Sequence, residues 1–206
     1  MKHQKQTYGE CSQTHLQGLS ETPERAALVI VDIQDRFCLS SHNMKTPRNS
    51  EIDQVTTQIA SLARAFHKAG ITVYAVYDER DPAFNPALHA PDFYRLDSRY
   101  IDITVRKNDE SVFKGSPIDT LLRDNGHNNL LICGVWLSRC VRKSCFDALY
   151  NGYDTTLISD SVADQTPEAT MHSYNNIDSK IVPHMGGKIS TSQQVLRHAS
   201  LRLNQP

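Results

Sequence analysis

The stretch Ala26-Ala27-Leu28-Val29-Ile30-Val31 is apolar without alternation and is closed by a carboxylate, Asp32. A strand of this kind carries apolar side chains on both faces, and a parallel sheet covered by helices on both sides buries both. The remaining sequence supplies those helices and further strands. Ser50-Glu51-Ile52-Asp53 opens a helix whose apolar face is Ile52, Val55, Ile59, Leu62, Ala63 and Phe66, and Gly70 closes it. Residues 71–77 read as the next strand, so the first three elements form a right-handed crossover unit. Residues 101–105 alternate like a strand, and Ser116-Pro117-Ile118-Asp119 starts a helix that Gly126 ends. Residues 129–133 are a second buried strand ending at Gly134, after which Val141, Cys145, Ala148 and Leu149 recur at helical spacing until Gly152. A strand at 154–159, a helix capped by Thr166-Pro167-Glu168 and running to about residue 177, a short strand at Ile181-Val182 and a helix over 190–198 complete the pattern. The predicted architecture is three-layer α/β/α, with a doubly wound, mostly parallel sheet of about six strands.

A chain of 206 residues is long enough for one sizeable core. Residues 1–24 lack periodicity and contain Gly9, Gly18 and Pro23, so they read as an N-terminal extension to a domain over 25–206. Residues 78–100 hold Pro82, Pro86 and Pro91 without a clear period, which points to a long loop of the lid or partner-surface kind. The formal net charge of -1 gives no field for nucleic acid or an anionic membrane, and no apolar run approaches the length of a span. Met1 to Gln6 lead into polar residues with no apolar core of a signal peptide, so a cytoplasmic location is expected. Five cysteines, odd in number and mostly in apolar elements, do not read as a disulfide framework, and without a Cys-x-x-Cys pair no structural zinc site is expected.

Cys133 and Cys145 fall in apolar positions and read as small core residues. Cys140 differs, because it stands where a strand hands over to a helix, ahead of the apolar stripe. The helix N-terminus and the nearby Arg139, Arg142 and Lys143 predict a favoured thiolate. Asp32 follows one strand and Lys107 another, so all three side chains are expected at the C-terminal edge of one parallel sheet, where open α/β folds build their sites. Singly, Asp32 reads as a turn cap and Lys107 as a solvated charge. Together they read as a nucleophilic site, with a carboxylate to take the thiol proton and a cation to hold the charges in register.

Val31-Asp32-Ile33-Gln34 with Phe37, then Lys107 with Ser111 and Phe113, then Gly134-Val135, Cys140-Val141, Asp147-Ala148 and Gly152-Tyr153 follow in one order. In that order they resemble the isochorismatase-like cysteine hydrolases over about residues 26–196. The run Ser138-x-Cys140-Val141-Arg142-x-Ser144 is most similar to the N-carbamoylsarcosine amidase branch. The resemblance implies Cys140 as nucleophile, Asp32 as general base and later acid, and Lys107 as the ordering cation. It also implies a cis peptide between Val135 and Trp136, which would aim the N–H groups of Trp136 and Cys140 at an oxyanion, and substrate contacts from Gln34, Phe37, Trp136, Leu137 and Gln165. The activity implied is metal-independent cleavage of a C–N bond in a small amide, ureide or carbamoyl compound through a thioester, without an organic cofactor, in a dimer or tetramer. Two other readings stay open: vinyl ether hydrolysis of the isochorismatase type, and a binding or scaffold protein with an altered site.

The sequence departs from the family's pattern at three places. Metal-using nicotinamidases carry Asp-x-His after the second strand, where this chain has Asp78-Glu79-Arg80, and arginine does not ligate a metal. The branch that grips a substrate carboxylate has arginine where Gln165 stands, so that grip is missing there. Trp136 and Leu137 replace small residues and are expected to narrow the pocket.

Overall fold

The computed structural model describes residues 23–39, 50–80 and 93–203. The N-terminal extension up to residue 22 and residues 81–92 of the expected 78–100 loop lie outside the described residues. Six strands, β1 (Ala26–Val31), β2 (Thr72–Asp78), β3 (Ile103–Lys107), β4 (Asn129–Val135), β5 (Asp154–Ala163) and β6 (Lys188–Ser190), form one sheet in the order β3-β2-β1-β4-β5-β6. Every neighbouring pair is parallel. All of β1 is buried, as its unbroken apolar run requires of a central strand.

Besides a single helical turn at Asp35–Cys38, the helices among the described residues are α1 (Ile52–Lys68), α2 (Ile118–Asp124), α3 (Arg142–Tyr150), α4 (Pro167–Met185) and α5 (Ser192–Leu203). Successive strands move outward from β1 to β3 on one side and from β4 to β6 on the other, and right-handed connections put the two sets of crossovers on opposite faces. The three-layer, doubly wound sheet expected from the sequence is the one found. α1 presents Ile52, Val55, Ile59, Leu62 and Phe66 to the core, five of the six residues of its expected face, with Ala63 as the sixth.

The end of the chain differs from expectation. Ile181 and Val182 are β-branched and apolar, yet they lie within α4, and the last strand is instead Lys188–Ser190, held to β5 by only three residue pairs. Asp160 does not end β5, which runs on to Ala163. Its carboxylate turns to α5 and accepts the Ser192 N–H at 2.7 Å and the Ser192 hydroxyl at 2.6 Å. Thr191 and Gln194 cap the same helix reciprocally.

Candidate active site

The four strand ends on the β3-β2-β1-β4 side converge. Asp32, directly after β1, holds a left-handed backbone at φ 54°, a conformation costing a non-glycine residue on the order of 1 kcal/mol or more, and its N–H is tied to the Val76 carbonyl at 2.9 Å. Lys107, the last residue of β3, has no solvent-exposed surface, and its Nζ lies 2.8 Å from Asp32 Oδ2 and 3.7 Å from Asp78 Oδ2 at the end of β2. Its ammonium donates a hydrogen bond to the Asp109 carbonyl at 2.9 Å, and neither Asp32 oxygen receives an aligned hydrogen bond. Asp32 is thus a buried carboxylate ion-paired with Lys107 and in contact with Cys140.

β4 delivers Cys140 through an unusual turn. Gly134 has φ 125°, and a Cβ there would fall 2.1 Å from the Val31 carbonyl oxygen, so glycine is required where β4 passes β1. The register between β4 and β5 shifts at the same place. The Val135–Trp136 peptide is cis, and a π-helical turn over Leu137–Val141 follows before α3 begins. The N–H groups of Arg139 and Val141 both donate to the Trp136 carbonyl. Among the described residues, the N–H groups of Trp136 and Cys140 donate to no carbonyl of another element or loop.

Two buried side chains hold this turn. Asp164, just past β5, accepts the Ser138 N–H and hydroxyl, each at 2.8 Å, and the Ser173 hydroxyl at 2.9 Å. The Ser144 hydroxyl donates to the Cys140 carbonyl at 2.6 Å and accepts the Val112 N–H at 3.0 Å, which joins the turn to the segment after Lys107.

Burial lifts Asp32 to about 6, against the pull of the Lys107 charge and of contacts with Lys107 and Cys140. Burial also raises the Cys140 thiol, and the Asp32 carboxylate raises it further, to about 12. The thiolate expected from the neighbouring cations is therefore not the resting form. Arg139 and Lys143 are turned away to Glu110, which lies 2.8 Å from Arg139 Nη2 and also pairs with Lys143. The resting pair is a thiol beside a carboxylate, the arrangement in which the carboxylate can act as base.

Gln34 is buried, and its amide is occupied by the Asp78 main chain: Oε1 accepts the Asp78 N–H at 2.9 Å and Nε2 donates to the Asp78 carbonyl at 3.4 Å. Phe37 meets Trp136 edge to face, with ring centres 6.2 Å apart, and the Arg36 guanidinium lies over the Phe37 ring at 4.3 Å. Trp136 retains 9% of its surface, whereas Leu137 retains none and packs in the core behind the turn. Gln165 is half-buried and its N–H goes to Asp164 Oδ1 at 3.2 Å.

Sequence reasoning missed Asp78 as a neighbour of Lys107, although it closes β2 as Asp32 closes β1, and that shared position is the signal that finds it. Asp164 and Ser144 had no such signal, because their partners are fixed only by the folded turn. Burial works to raise Asp78, but hydrogen bonds from Arg80 outweigh it and the carboxyl titrates below its usual range. Arg80 Nε and Nη2 both bind it, with Nε at 2.9 Å from Oδ1. A carboxylate clamped in this way is a poor cation ligand, and among the described residues no group of three or more His, Cys, Asp or Glu side chains is arranged to hold a metal ion.

The family model described as the isochorismatase domain matches residues 26–194. A streptothricin hydrolase of Streptomyces noursei is 29% identical over 140 residues, covering 66% of this chain and 54% of its own length. An N-carbamoylsarcosine amidase of an Arthrobacter species is 22% identical over 195 residues, covering 84% of this chain and 71% of its own. The chain thus spans little more than half of the first relative. In fold it is similar to a cysteine hydrolase from Pseudomonas syringae pv. phaseolicola 1448A, with a TM-score of 0.71 at 20% identity, covering 89% of this chain and 96% of that one.

Proposed function

The chain belongs to the isochorismatase family of hydrolases, and from that premise we propose that it is a metal-independent amidohydrolase cleaving a C–N bond of a small amide, ureide or carbamoyl compound through Cys140. The observation that supports this reading is the buried cluster in which Cys140 neighbours an Asp32 carboxylate paired with Lys107 at 2.8 Å.

As the Cys140 sulfur attacks the carbonyl carbon, its proton passes to Asp32 and a C–S bond forms. The carbonyl oxygen takes the negative charge, next to the Trp136 and Cys140 amides. Collapse breaks the C–N bond, and Asp32 returns the proton to the departing nitrogen, which leaves as ammonia or an amine. Water then gives a proton to Asp32 and adds to the thioester, the C–S bond breaks, and the sulfur recovers its proton. The sum is amide plus water to acid plus amine.

The electrostatics suit the sequence of transfers. With Asp32 at about 6, the base form prevails at neutral pH while its conjugate acid is still able to protonate a leaving amine. With the thiol at about 12, charge on sulfur is generated only as the proton moves to Asp32. Lys107, 2.8 Å from Asp32, limits the field that the carboxylate exerts on the attacking sulfur.

Ammonia release from a panel of small amides, ureides and carbamoyl compounds tests this. Cys140→Ala and Asp32→Asn should each lose about a thousandfold or more. Release that is equal in the cysteine variant, or absent across the panel, overturns the proposal. A Cys140→Ala protein that retains hydrolysis of isochorismate points instead to ether cleavage.

A further inference from the structure

Asp78 is surrounded by three cations. Lys107 Nζ is 3.7 Å from its Oδ2, Arg36 Nη2 is 3.4 Å from the same oxygen, and Arg80 spans both oxygens through Nε and Nη2. Lys107 is fully buried and its charge is matched by Asp32. Arg80 is different. Its backbone N–H and one edge of its guanidinium are fixed on Asp78, its side chain is 46% exposed, and among the described residues Nη1 has no partner. Through Asp78 it adjoins the Lys107–Asp32 pair of the candidate site. A guanidinium locked along one edge, open along the other among the described residues, and joined through Asp78 to the Lys107–Asp32 pair, is preorganised for a second carboxylate.

Resting on the amidohydrolase reading above, we propose that Arg80 binds a carboxylate of the substrate, so that the compound cleaved is an anionic amide: a monoamide, ureido or carbamoyl derivative of a carboxylic acid. Asp78 is then a positioning residue. It fixes the guanidinium plane, as Gln34 fixes Asp78 by holding its N–H and its carbonyl. The recognition missing at Gln165 is supplied from the end of β2. Phe37, which lies under the Arg36 guanidinium that also reaches Asp78, and Trp136, which it meets edge to face, are the apolar groups next to this cluster.

The test has a binding arm and a kinetic arm. Calorimetry measures malonate, succinate and glutarate on the full-length protein and on its Arg80→Ala and Arg80→Gln variants, the glutamine variant keeping a hydrogen-bonding side chain should the alanine protein fold poorly. Kinetics compare succinamate with its uncharged counterpart succinamide. The proposal expects at least one dicarboxylate to bind the wild type and to weaken about tenfold or more in either variant. It also expects KM for succinamate to rise by a similar factor while KM for succinamide changes by less than about threefold.

Dicarboxylate binding that ignores the substitution, or no dicarboxylate binding to the wild type, overturns the proposal. So does an equal fall in kcat for both amides, which assigns Arg80 to the support of Asp78 and Lys107 alone. Hydrolysis of succinamate whose KM does not depend on Arg80 sinks this inference and leaves the amidohydrolase reading standing. Arg80-dependent dicarboxylate binding without hydrolysis of any amide does the reverse.

Discussion

At the scale of the residue, Asp32 and Cys140 set each other's ionisation. The acid limb of kcat/KM should lie near pH 6, where Asp32 becomes a base, and the rate should then stay level into the alkaline range because the thiol titrates at about 12. Lys107 lowers Asp32, so Lys107→Met should move the acid limb above pH 6 and, by leaving a buried carboxylate without its cation, cost about 3–5 kcal/mol of stability. The Asp32 carboxylate raises the thiol, so Asp32→Asn should abolish hydrolysis and yet let Cys140 ionise at lower pH, seen by ultraviolet thiolate absorbance. A thiol titration unchanged or shifted upward in that variant contradicts the coupling. Asp32 also has a stability signature of definite sign. Its folded pKa is raised, so its contribution is full below the unfolded value near 4 and is lost as pH rises through about 6. Asp32→Asn should therefore gain on the wild type across that interval in denaturant melts. The positions of the acid, amine and sulfur were legible because each follows a strand. The state of the sulfur was not, because Glu110, 30 residues upstream of Cys140 in sequence, takes the Arg139 and Lys143 charges that suggested a thiolate.

At the scale of the element, the turn after β4 is shaped by groups that lie outside it. Asp164 accepts three hydrogen bonds from Ser138 and Ser173 while almost wholly buried, so Asp164→Ala should cost about 2–4 kcal/mol and lower the melting temperature by roughly 5–15 °C. A melt within a degree or two of the wild type would show that the turn holds without it. Gly134→Ala meets the Val31 carbonyl at 2.1 Å and should cost more than about 3 kcal/mol or prevent folding, read as loss of soluble protein. Periodicity found the strand and the helix on either side of this turn but not its π-helical form, since that depends on where the Trp136 carbonyl points. The last strand was misplaced for a related reason. Ile181-Val182 has the composition of a strand and lies in a helix, while Lys188–Ser190 is polar and short and becomes a strand only because the β5 edge is there to receive it.

At the scale of the molecule, the order of strand addition reverses between β1 and β4, and this is the crevice at which doubly wound folds place ligands. Asp32 and Cys140 stand on its two sides, with Asp78 and Lys107 reaching in from β2 and β3. That placement could be read from the order of strands and helices, whereas the network around Asp78 depends on side chains meeting in three dimensions. Asp78, Glu110 and Asp119 are held below their usual pKa, by hydrogen bonds that outweigh burial in Asp78 and Asp119 and by Lys143 above all in Glu110. Each stabilises the fold above the unfolded carboxylate value near 4 and ceases to do so as pH falls through its own lower value. Unfolding free energy should therefore drop steeply on acidification below about pH 4, and Asp78→Asn should flatten that slope. A stability that is level from pH 5 to pH 3 would refute it. The open edge of Arg80 has a practical consequence for redesign. Reacting groups are welded to strands, whereas the candidate selector is a half-exposed side chain just past the end of β2, so a new preference can be sought by exchanging that one side chain without rebuilding the machinery beneath.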